Sequence, residues 1–262
     1  MGEVLAMQVV AFALFGLVVG SFLTVVVYRV PRTMSIVKPR SRCPACDVQI
    51  RSVDNIPVVS WIVRGGRCRG CGAKISARYP ITELATAALF VSAAVKYQDD
   101  LYLAVTMSLF FAMLLAVSLI DLEHKIIPNR IVYPSAIAFP LLILAGALMG
   151  KDLNAARALF GALGYGGGLL LVWFVYPKGM GMGDVKLAFV IGAVLGALGI
   201  GLVPVAAMLG FFLGALGGIL AIAVGAKGRK STVPFGPSMA AGAVLATFFG
   251  AGIADWYLGL FS

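Results

Sequence analysis

Two aspartates stand where acid–base chemistry is possible in an otherwise apolar chain. Asp121 follows an apolar run at 101–120, and Asp184 lies in the stretch Gly-Met-Gly-Met-Gly-Asp-Val-Lys at 179–186, just before another apolar run. An ionised carboxylate in hydrocarbon costs at least about 2.5 kcal/mol, so acids at such boundaries usually have a function. Two carboxylates that meet in a dry site share one proton, and such a pair can activate water for hydrolysis.

A simpler interpretation of these acids stays open at this point. Each aspartate has a nearby lysine, Lys125 or Lys186, and each acid could form only a local ion pair with that lysine. No other catalytic set competes with the two acids. His124 is the single histidine, so a Ser-His-Asp triad or a histidine-rich metal site is difficult to assemble.

The four cysteines of the chain form two CxxC pairs in one polar loop. They are Cys43, Cys46, Cys68 and Cys71. Each CxxC turn directs two thiolates at one point, and two such turns complete a tetrahedron around Zn²⁺. Disulfides are the alternative, but they are rare in a reducing compartment. Four cysteine ligands leave no position for water, so the sequence predicts a structural zinc site.

The composition indicates what kind of protein must position these groups. The 262 residues are 61% hydrophobic and 12% charged, and the mean hydropathy is +0.99. Such values predict an all-α polytopic membrane protein. The formal net charge of +10 resides mostly in loops beside apolar runs, which favours membrane orientation over nucleic-acid binding.

Eight apolar runs predict about eight transmembrane helices. They lie at Val4–Val27, Ile81–Val95, Leu101–Ile120, Ile131–Met149, Ala155–Tyr176, Val185–Ile200, Leu202–Val224 and Pro237–Leu260. The second and sixth runs are short for a span of about 20 residues. We expect three parts: a first helix at 1–28, a cysteine loop domain at 29–80 and a seven-helix domain at 81–262.

The positive charges predict the orientation of these helices. If the loop at 29–80 faces the cytoplasm, 18 of the 21 Lys and Arg residues fall on the cytoplasmic side. Only Lys96, Lys151 and Arg157 then lie outside. Positive charge concentrates in cytoplasmic loops, so we expect the cysteine loop and both acids on the cytoplasmic side and both termini outside.

Further motifs accompany the cysteines and the two acids. In order, they are Cys43-Pro-x-Cys46, Asp54-Asn-Ile-Pro57, Cys68-x-x-Cys71, Tyr79-Pro80, Glu83, Asp121 followed by Ile127-Pro128-Asn129, Gly181-x-Gly183-Asp184-x-Lys186, and Pro234-Phe235-Gly236-Pro237. This combination resembles the type IV prepilin peptidases. The resemblance extends from about residue 20 to residue 242, which is most of the chain.

The resemblance implies a membrane aspartyl peptidase that cleaves the basic leader of prepilins and pseudopilins, the subunits of type IV pili and type II secretion systems. It implies Asp121 and Asp184 as catalytic acids, zinc on the four cysteines, and a bacterial inner-membrane location. Members with the zinc loop commonly also methylate the new N-terminus with S-adenosylmethionine. The implied substrate carries a membrane helix, with glycine before the cut and usually phenylalanine after it.

The residues around the acids are predicted to support the substrate. Gly181 and Gly183 leave backbone uncovered, so an extended substrate could pair with it. Pro128, Asn129 and Lys186 are further candidates for this groove. Two other functions stay open: a polytopic ion transporter with the acids as a relay, and a zinc-binding membrane scaffold without catalysis.

Overall fold

Ten α-helices form the described part of the chain, which comprises residues 2–223 and 234–259 of this computed structural model. The helices are α1 (Gly2–Arg29), α2 (Val59–Val63), α3 (Arg78–Lys96), α4 (Leu101–His124), α5 (Asn129–Leu148), α6 (Ala155–Ala162), α7 (Gly168–Val175), α8 (Met182–Leu198), α9 (Leu202–Ala223) and α10 (Gly236–Gly259). A 3₁₀ turn covers Ser52–Asn55, and a π-helical turn, Leu163–Gly167, joins α6 to α7. No strand occurs among these residues beyond two isolated bridges.

The order of the long helices confirms the polytopic, all-α prediction. Each of the eight apolar runs becomes one long helical segment, with α6, the π turn and α7 acting as a single segment. Six of these segments are long and apolar enough to cross a membrane. Helices α3 and α8 are not among the six. They correspond to the second and sixth apolar runs, which are short in the sequence, and α8 has only 17 residues. The protein is therefore a multi-pass membrane protein.

Some sequence predictions lie outside the described residues. They concern Lys227, Arg229 and Lys230 of one basic loop, and Val224 and Leu260 at the ends of two predicted spans.

Two compact units make up the chain, Met1–Ala112 and Met113–Ser262, and their boundary falls within α4. The first unit contains α1, the cysteine loop and α3. The second contains Asp121, Asp184 and the helices from α5 to α10. The predicted three-part division at 1–28, 29–80 and 81–262 is based on membrane topology, whereas the two units are defined by contacts between residues. The three-part division therefore stays a prediction.

In the first unit, α1 and α3 pack at very close range. A Cβ on Gly20 would lie 2.7 Å from Glu83 Cα, so only glycine permits this crossing. Small residues that allow backbones to approach are the usual basis of helix association in membranes. The crossing places Glu83, which is buried, beside the start of the cysteine loop's short helix α2.

In the second unit, α8 is the most enclosed helix after its first turn, and it packs closely on α6. A Cβ on Gly192 would lie within van der Waals overlap of the Gly161 carbonyl oxygen, and Gly196 crosses α6 one turn later. Gly161 is therefore part of the packing surface between α6 and α8, and the segment 161–168 is helical. These contacts hold the second half of α8 against α6.

Candidate active site and candidate metal centre

The two acids predicted to act together lie at helix ends in the same unit. Asp121 is in the last turn of α4 and is only 5% exposed, and Asp184 is in the first turn of α8 and is half-buried. Gly183, which precedes Asp184, and Gly236, which binds Asp121, both pack against the side chain of Ile127, so the segments that carry the two acids meet. The arrangement suits a pair of acids that share one proton.

A backbone amide at the start of α10 binds Asp121. Gly236 N donates a hydrogen bond of 3.0 Å to Asp121 Oδ2, although the residues are 115 positions apart. Gly236 is the first residue of α10, where backbone N–H groups have no partner within the helix. A Cβ at this position would lie 2.8 Å from the same carboxylate oxygen. Asp121 therefore receives a fixed donor that only glycine can supply at this distance.

Asp184 has an equivalent donor at the start of its own helix. Gly181 N donates a hydrogen bond of 3.2 Å to Asp184 Oδ2, and Asp184 N donates to the Gly181 carbonyl at 3.1 Å. Asp184 is the third residue of α8, where a carboxylate can return to the N-cap amide. Both acids are thus held by glycine N–H groups at helix N-termini, which favour negative charge.

The turn between α4 and α5 connects the two acids through Ile127. Lys125 has a φ of +55°, and Pro128 is the N-cap of α5, so the chain turns sharply between the two helices. A Cβ on Gly183 would lie 2.8 Å from Ile127 Cβ, and a Cβ on Gly236 would lie 3.4 Å from Ile127 Cδ1. One aliphatic side chain therefore packs against the segments that carry Asp184 and the donor to Asp121.

This packing corrects the prediction of an open groove at Gly183. The space beside Gly183 is filled by Ile127, so the missing side chain makes room for the enzyme's own turn. Gly181 differs, because it is exposed and the atom nearest to its missing side chain is Asp184 Oδ2, at 3.1 Å. Among the described glycines beside the two acids, Gly181 is the one that keeps an uncovered backbone.

Lys186 does not serve as the counterion that the simpler interpretation required. Its Nζ donates a hydrogen bond of 3.0 Å to Asn129 Oδ1 and lies 4.7 Å from the centroid of the Tyr133 ring. These contacts join the first turns of α8 and α5. Lys186 and Asn129, both predicted as supporting residues, therefore fasten the helix that carries Asp184 instead of neutralising it.

The four cysteines converge in the first unit. Their Sγ atoms all lie within 4.8 Å of one another, and no disulfide joins them. The Sγ atoms of Cys43 and Cys71 are 3.9 Å apart. Tetrahedral zinc with Zn–S bonds of about 2.3 Å places its sulfurs about 3.8 Å apart, so the donor set fits such an ion. The predicted cysteine cluster is confirmed as a site that could hold a metal ion.

The two CxxC segments have the same backbone construction. Cys43 N donates to the Val48 carbonyl, and Cys68 N donates to the Ala73 carbonyl, five residues on in each case. The residue after the second cysteine has a positive φ in both turns, +55° at Asp47 and +71° at Gly72. Each pair of thiols is therefore presented by a tight turn of the kind that zinc knuckles use.

Crowding of the thiols changes their proton affinities in opposite directions. Hydrogen bonds from the backbone N–H groups of Cys71 and Gly70 lower the pKa of Cys68 to about 6. The Val48 N–H lowers the pKa of Cys46, but the thiol of Cys71 and lost hydration outweigh it and raise this pKa to about 12. Neighbouring thiols do not all lose their protons easily, because the resulting negative charges repel one another. A divalent cation would stabilise all of them as thiolates.

Charged residues brace the cysteine loop from both sides. The Asp54 carboxylate pairs with Arg64 at 2.6 Å and with Arg69, between the second pair of cysteines, at 3.6 Å. Glu83 Oε2 accepts a hydrogen bond of 2.7 Å from Val58 N at the start of α2. Val58 has a φ of +61°, an outlier for a β-branched residue, so this strained position is held by a buried carboxylate.

Sequence reasoning assigned no role to several of these contacts. Gly236 was noted only as part of Pro234-Phe235-Gly236-Pro237, and Ile127 only beside Pro128. A glycine at a predicted helix start is a weak signal for a backbone donor, and its partner 115 residues away leaves no local trace.

Comparison with known proteins supplies the family. Residues 14–97 match the family described as Bacterial Peptidase A24 N-terminal domain, and residues 108–227 match the Type IV leader peptidase family. No solved structure gives a significant match.

Three named relatives are similar over most of their length. A Prepilin leader peptidase/N-methyltransferase of Bacillus subtilis (strain 168) is 35% identical over 248 residues, covering 94% of this chain and 96% of the relative. One of the same name from Dichelobacter nodosus is 37% identical over 280 residues, covering 93% and 92%. A Type 4 prepilin-like proteins leader peptide-processing enzyme of Escherichia coli O78:H11 is 34% identical, covering 87% and 89%. This chain therefore belongs to the type IV leader peptidase family.

Proposed function

We propose that this chain is an aspartyl endopeptidase of the bacterial inner membrane that removes the basic leader peptide from prepilins or pseudopilins. The observation that carries the proposal is that Asp121 and Asp184 lie on segments that pack against the same side chain, Ile127, and that each acid is held by a glycine N–H at a helix start. Membership of the leader peptidase family and the printed names of the relatives supply the substrate class.

The proposed reaction needs only the two acids and water. One carboxylate accepts a proton from water while the water oxygen bonds to the scissile carbonyl carbon, and the other acid protonates the carbonyl oxygen. The resulting diol collapses, the C–N bond breaks, and a proton passes to the leaving nitrogen. Gly236 and Gly181 orient the carboxylates by backbone donors, which need no rearrangement during the reaction.

The substrate is expected to reach these acids at the inner face of the membrane. A prepilin carries a basic leader before a hydrophobic helix, so the bond between the two segments lies at the bilayer boundary. The distribution of Lys and Arg supports a cytoplasmic position for both acids and for the cysteine loop, with both termini outside. The uncovered backbone at Gly181 is the proposed edge for an extended substrate, and Pro128, Asn129 and Lys186 support it from α5 and α8.

Zinc and S-adenosylmethionine are the proposed cofactors. Cys43, Cys46, Cys68 and Cys71 would hold zinc as a structural cross-link, because four thiolates leave no position for substrate or water. Methylation of the new amino terminus is the second proposed activity. Its support is the word N-methyltransferase in the names of relatives that align with nearly the whole chain.

The described residues give little support to an ion transporter. Within the helices, the buried hydroxyls of Thr86, Ser108, Ser118 and Thr247 all donate to carbonyls of their own helix. These hydroxyls are bonded within their own helices. A relay needs a connected series of polar or acidic groups through the bilayer, and these four hydroxyls do not form one. A scaffold without catalysis predicts that changes at the acids act only through stability.

The proposed function can be tested by the masses of reaction products. The full-length protein in detergent is incubated with a prepilin and S-adenosylmethionine, and loss of the leader and gain of a methyl group are read as separate mass changes. Asp121→Asn and Asp184→Asn are expected to abolish leader loss while melting temperature and membrane yield stay normal. Asp152→Asn, at an exposed acid, is the matched control. Normal processing by Asp184→Asn would overturn the proposal.

A further inference from the structure

A buried tyrosine lies near the proposed catalytic pair, and its hydroxyl has no hydrogen-bond partner among the described residues. Tyr165 is 5% exposed, and no group in the described part of the chain forms a hydrogen bond with its hydroxyl. The buried hydroxyls of Thr86, Ser108, Ser118 and Thr247 donate to carbonyls of their own helices, but a phenol is too long to do so. A buried hydroxyl without a partner is costly, so folded proteins rarely retain one without a function.

The π-helical turn explains why this phenol is placed beyond reach of its own helix. Tyr165 is the central residue of Leu163–Gly167, and such turns often occur at functional sites because they redirect a side chain. The turn is fixed against α8, since a Cβ on Gly166 would overlap the ring of Phe189. On the opposite side, Tyr165 Oη lies 3.6 Å from where a Cβ of Gly210 would stand. The phenol thus occupies a narrow, defined position between α8 and α9.

The position of the phenol relates it to the start of α10, where Gly236 binds Asp121. The point where a Cβ of Gly210 would stand lies 3.6 Å from Tyr165 Oη, 3.6 Å from the Ser238 carbonyl oxygen and 3.3 Å from Met239 Cα, two and three residues after Gly236. The Tyr165 hydroxyl forms no hydrogen bond with any described residue. A donor at this place can contact a group that lies beside the acids, and in the proposed reaction that group belongs to the substrate.

We propose that Tyr165 is a third catalytic residue, whose hydroxyl donates a hydrogen bond to the scissile carbonyl oxygen as the tetrahedral intermediate forms. This inference rests on the proposed peptidase function. As water adds to the carbonyl carbon, the C=O π bond becomes a C–O single bond and its oxygen gains electron density. One aspartic acid gives that oxygen its proton, whereas Tyr165 keeps its own proton and contributes only the hydrogen bond.

The chemistry of phenol suits this position. A neutral donor stabilises developing negative charge without adding a cation that would compete for the carboxylates. Its burial between α8 and α9 limits its motion, and a fixed donor is more effective than one that must reorganise. The hydrogen-bond acceptor for the Tyr165 hydroxyl would then be the carbonyl oxygen of the substrate in the transition state. A contact that forms only in the transition state accelerates the reaction.

The test is Tyr165→Phe in the full-length protein, which removes one oxygen and keeps the ring. Removal of a single oxyanion donor typically lowers kcat by about 100-fold, and we expect a fall of at least tenfold with KM nearly unchanged. Because the hydroxyl has no partner in the resting fold, the melting temperature should stay the same or rise. Tyr257→Phe, at an exposed tyrosine of α10, is the matched control and should keep normal kcat.

A second measurement separates catalysis from folding. A prepilin peptide whose scissile amide is replaced by a hydroxyethylene group mimics the tetrahedral intermediate. Its affinity for Tyr165→Phe should be lower than its affinity for the native protein, by about the same factor as the loss of kcat. Binding of the uncleaved leader peptide to a variant that also carries Asp184→Asn should not change.

Three results would overturn this inference. They are an unchanged kcat in Tyr165→Phe, a loss of kcat that only parallels a lower melting temperature, and unchanged binding of the hydroxyethylene peptide. The proposed function would fail in a different way, through leader cleavage by Asp184→Asn. An active Tyr165→Phe beside an inactive Asp184→Asn would therefore reject the role of the tyrosine and retain the peptidase.

Discussion

The amide of Gly236 donates its hydrogen to Asp121 across 3.0 Å, and this bond joins the start of α10 to the end of α4. The carboxylate thereby satisfies one of the N–H groups that a helix start leaves without a partner. Asp184 does the same for Gly181 at the start of α8. The two proposed catalytic acids therefore have the same kind of donor, a glycine N–H at a helix start, although they lie far apart in the sequence.

Gly236→Ala should impair cleavage strongly. The new Cβ would lie 2.8 Å from Asp121 Oδ2, so the carboxylate or the start of α10 must move. A hydrogen bond to a charged group contributes about 1.5–3 kcal/mol, which corresponds to a roughly 10- to 100-fold loss of kcat. Steady-state cleavage of a prepilin measures it. Gly252→Ala, in the same helix with no atom near the new methyl group, should cleave normally. Equal rates for the two variants would contradict the proposed role of this donor.

Gly183→Ala should disturb the acid pair through Ile127. The added methyl group would lie 2.8 Å from Ile127 Cβ, and overpacking of this kind costs about 1–3 kcal/mol. Ile127→Ala removes the γ carbons at 3.5 and 3.6 Å and gives the turn room to shift. The double variant should therefore recover part of the lost activity and melting temperature. Strictly additive effects in this double-mutant cycle would show that the two residues do not act through their contact.

Glu83→Leu should loosen the cysteine loop. Val58 N then loses its buried acceptor while keeping an unfavourable positive φ, at a cost of about 1–3 kcal/mol. Glu83→Gln keeps an acceptor oxygen and should behave nearly like the native protein. Limited proteolysis within 41–76 measures the effect as faster cutting in the leucine variant only. If the glutamine variant is cut equally fast, the charge of Glu83 matters more than its hydrogen bond.

The four cysteines should bind one zinc ion per chain. Elemental analysis of the purified protein measures the metal, and Cys68→Ser should lower its content because tetrahedral zinc then lacks one thiolate. Asp47→Asn is the control, since it alters the turn of the other cysteine pair without removing a thiolate, and asparagine accepts a positive φ. A native protein without zinc would remove the metal-site assignment. Strong chelators should reproduce the effect of the cysteine change.

Much of this fold follows from short-range patterns in the sequence. Apolar runs of about 20 residues predicted the order of the eight long helical segments, because length and hydropathy are properties of each segment alone. The convergence of the cysteines was predictable because each CxxC turn defines half of a tetrahedron. Pro128 marked the turn before α5 because proline cannot continue a helix.

The remaining features depend on contacts between distant residues. No pattern near Asp121 shows that Gly236 will donate to it, and no pattern near Gly183 shows that Ile127 will fill the adjacent space. Tyr165 carries no sequence signal of its own, and the π turn that contains it packs against Phe189 of α8 at Gly166. The catalytic roles of Asp121 and Asp184 stay predictions that the assays above will decide.

The bond between Gly236 and Asp121 also has a consequence for biosynthesis. The ribosome makes Asp121 and Asp184 well before it makes the start of α10, so a nascent chain contains both acids before either α4 or α8 can be joined to that last helix. Until α10 is inserted, Asp121 has no amide donor and the pair lacks one of its two supports. Proteolytic competence would then be acquired only after α10 has been inserted.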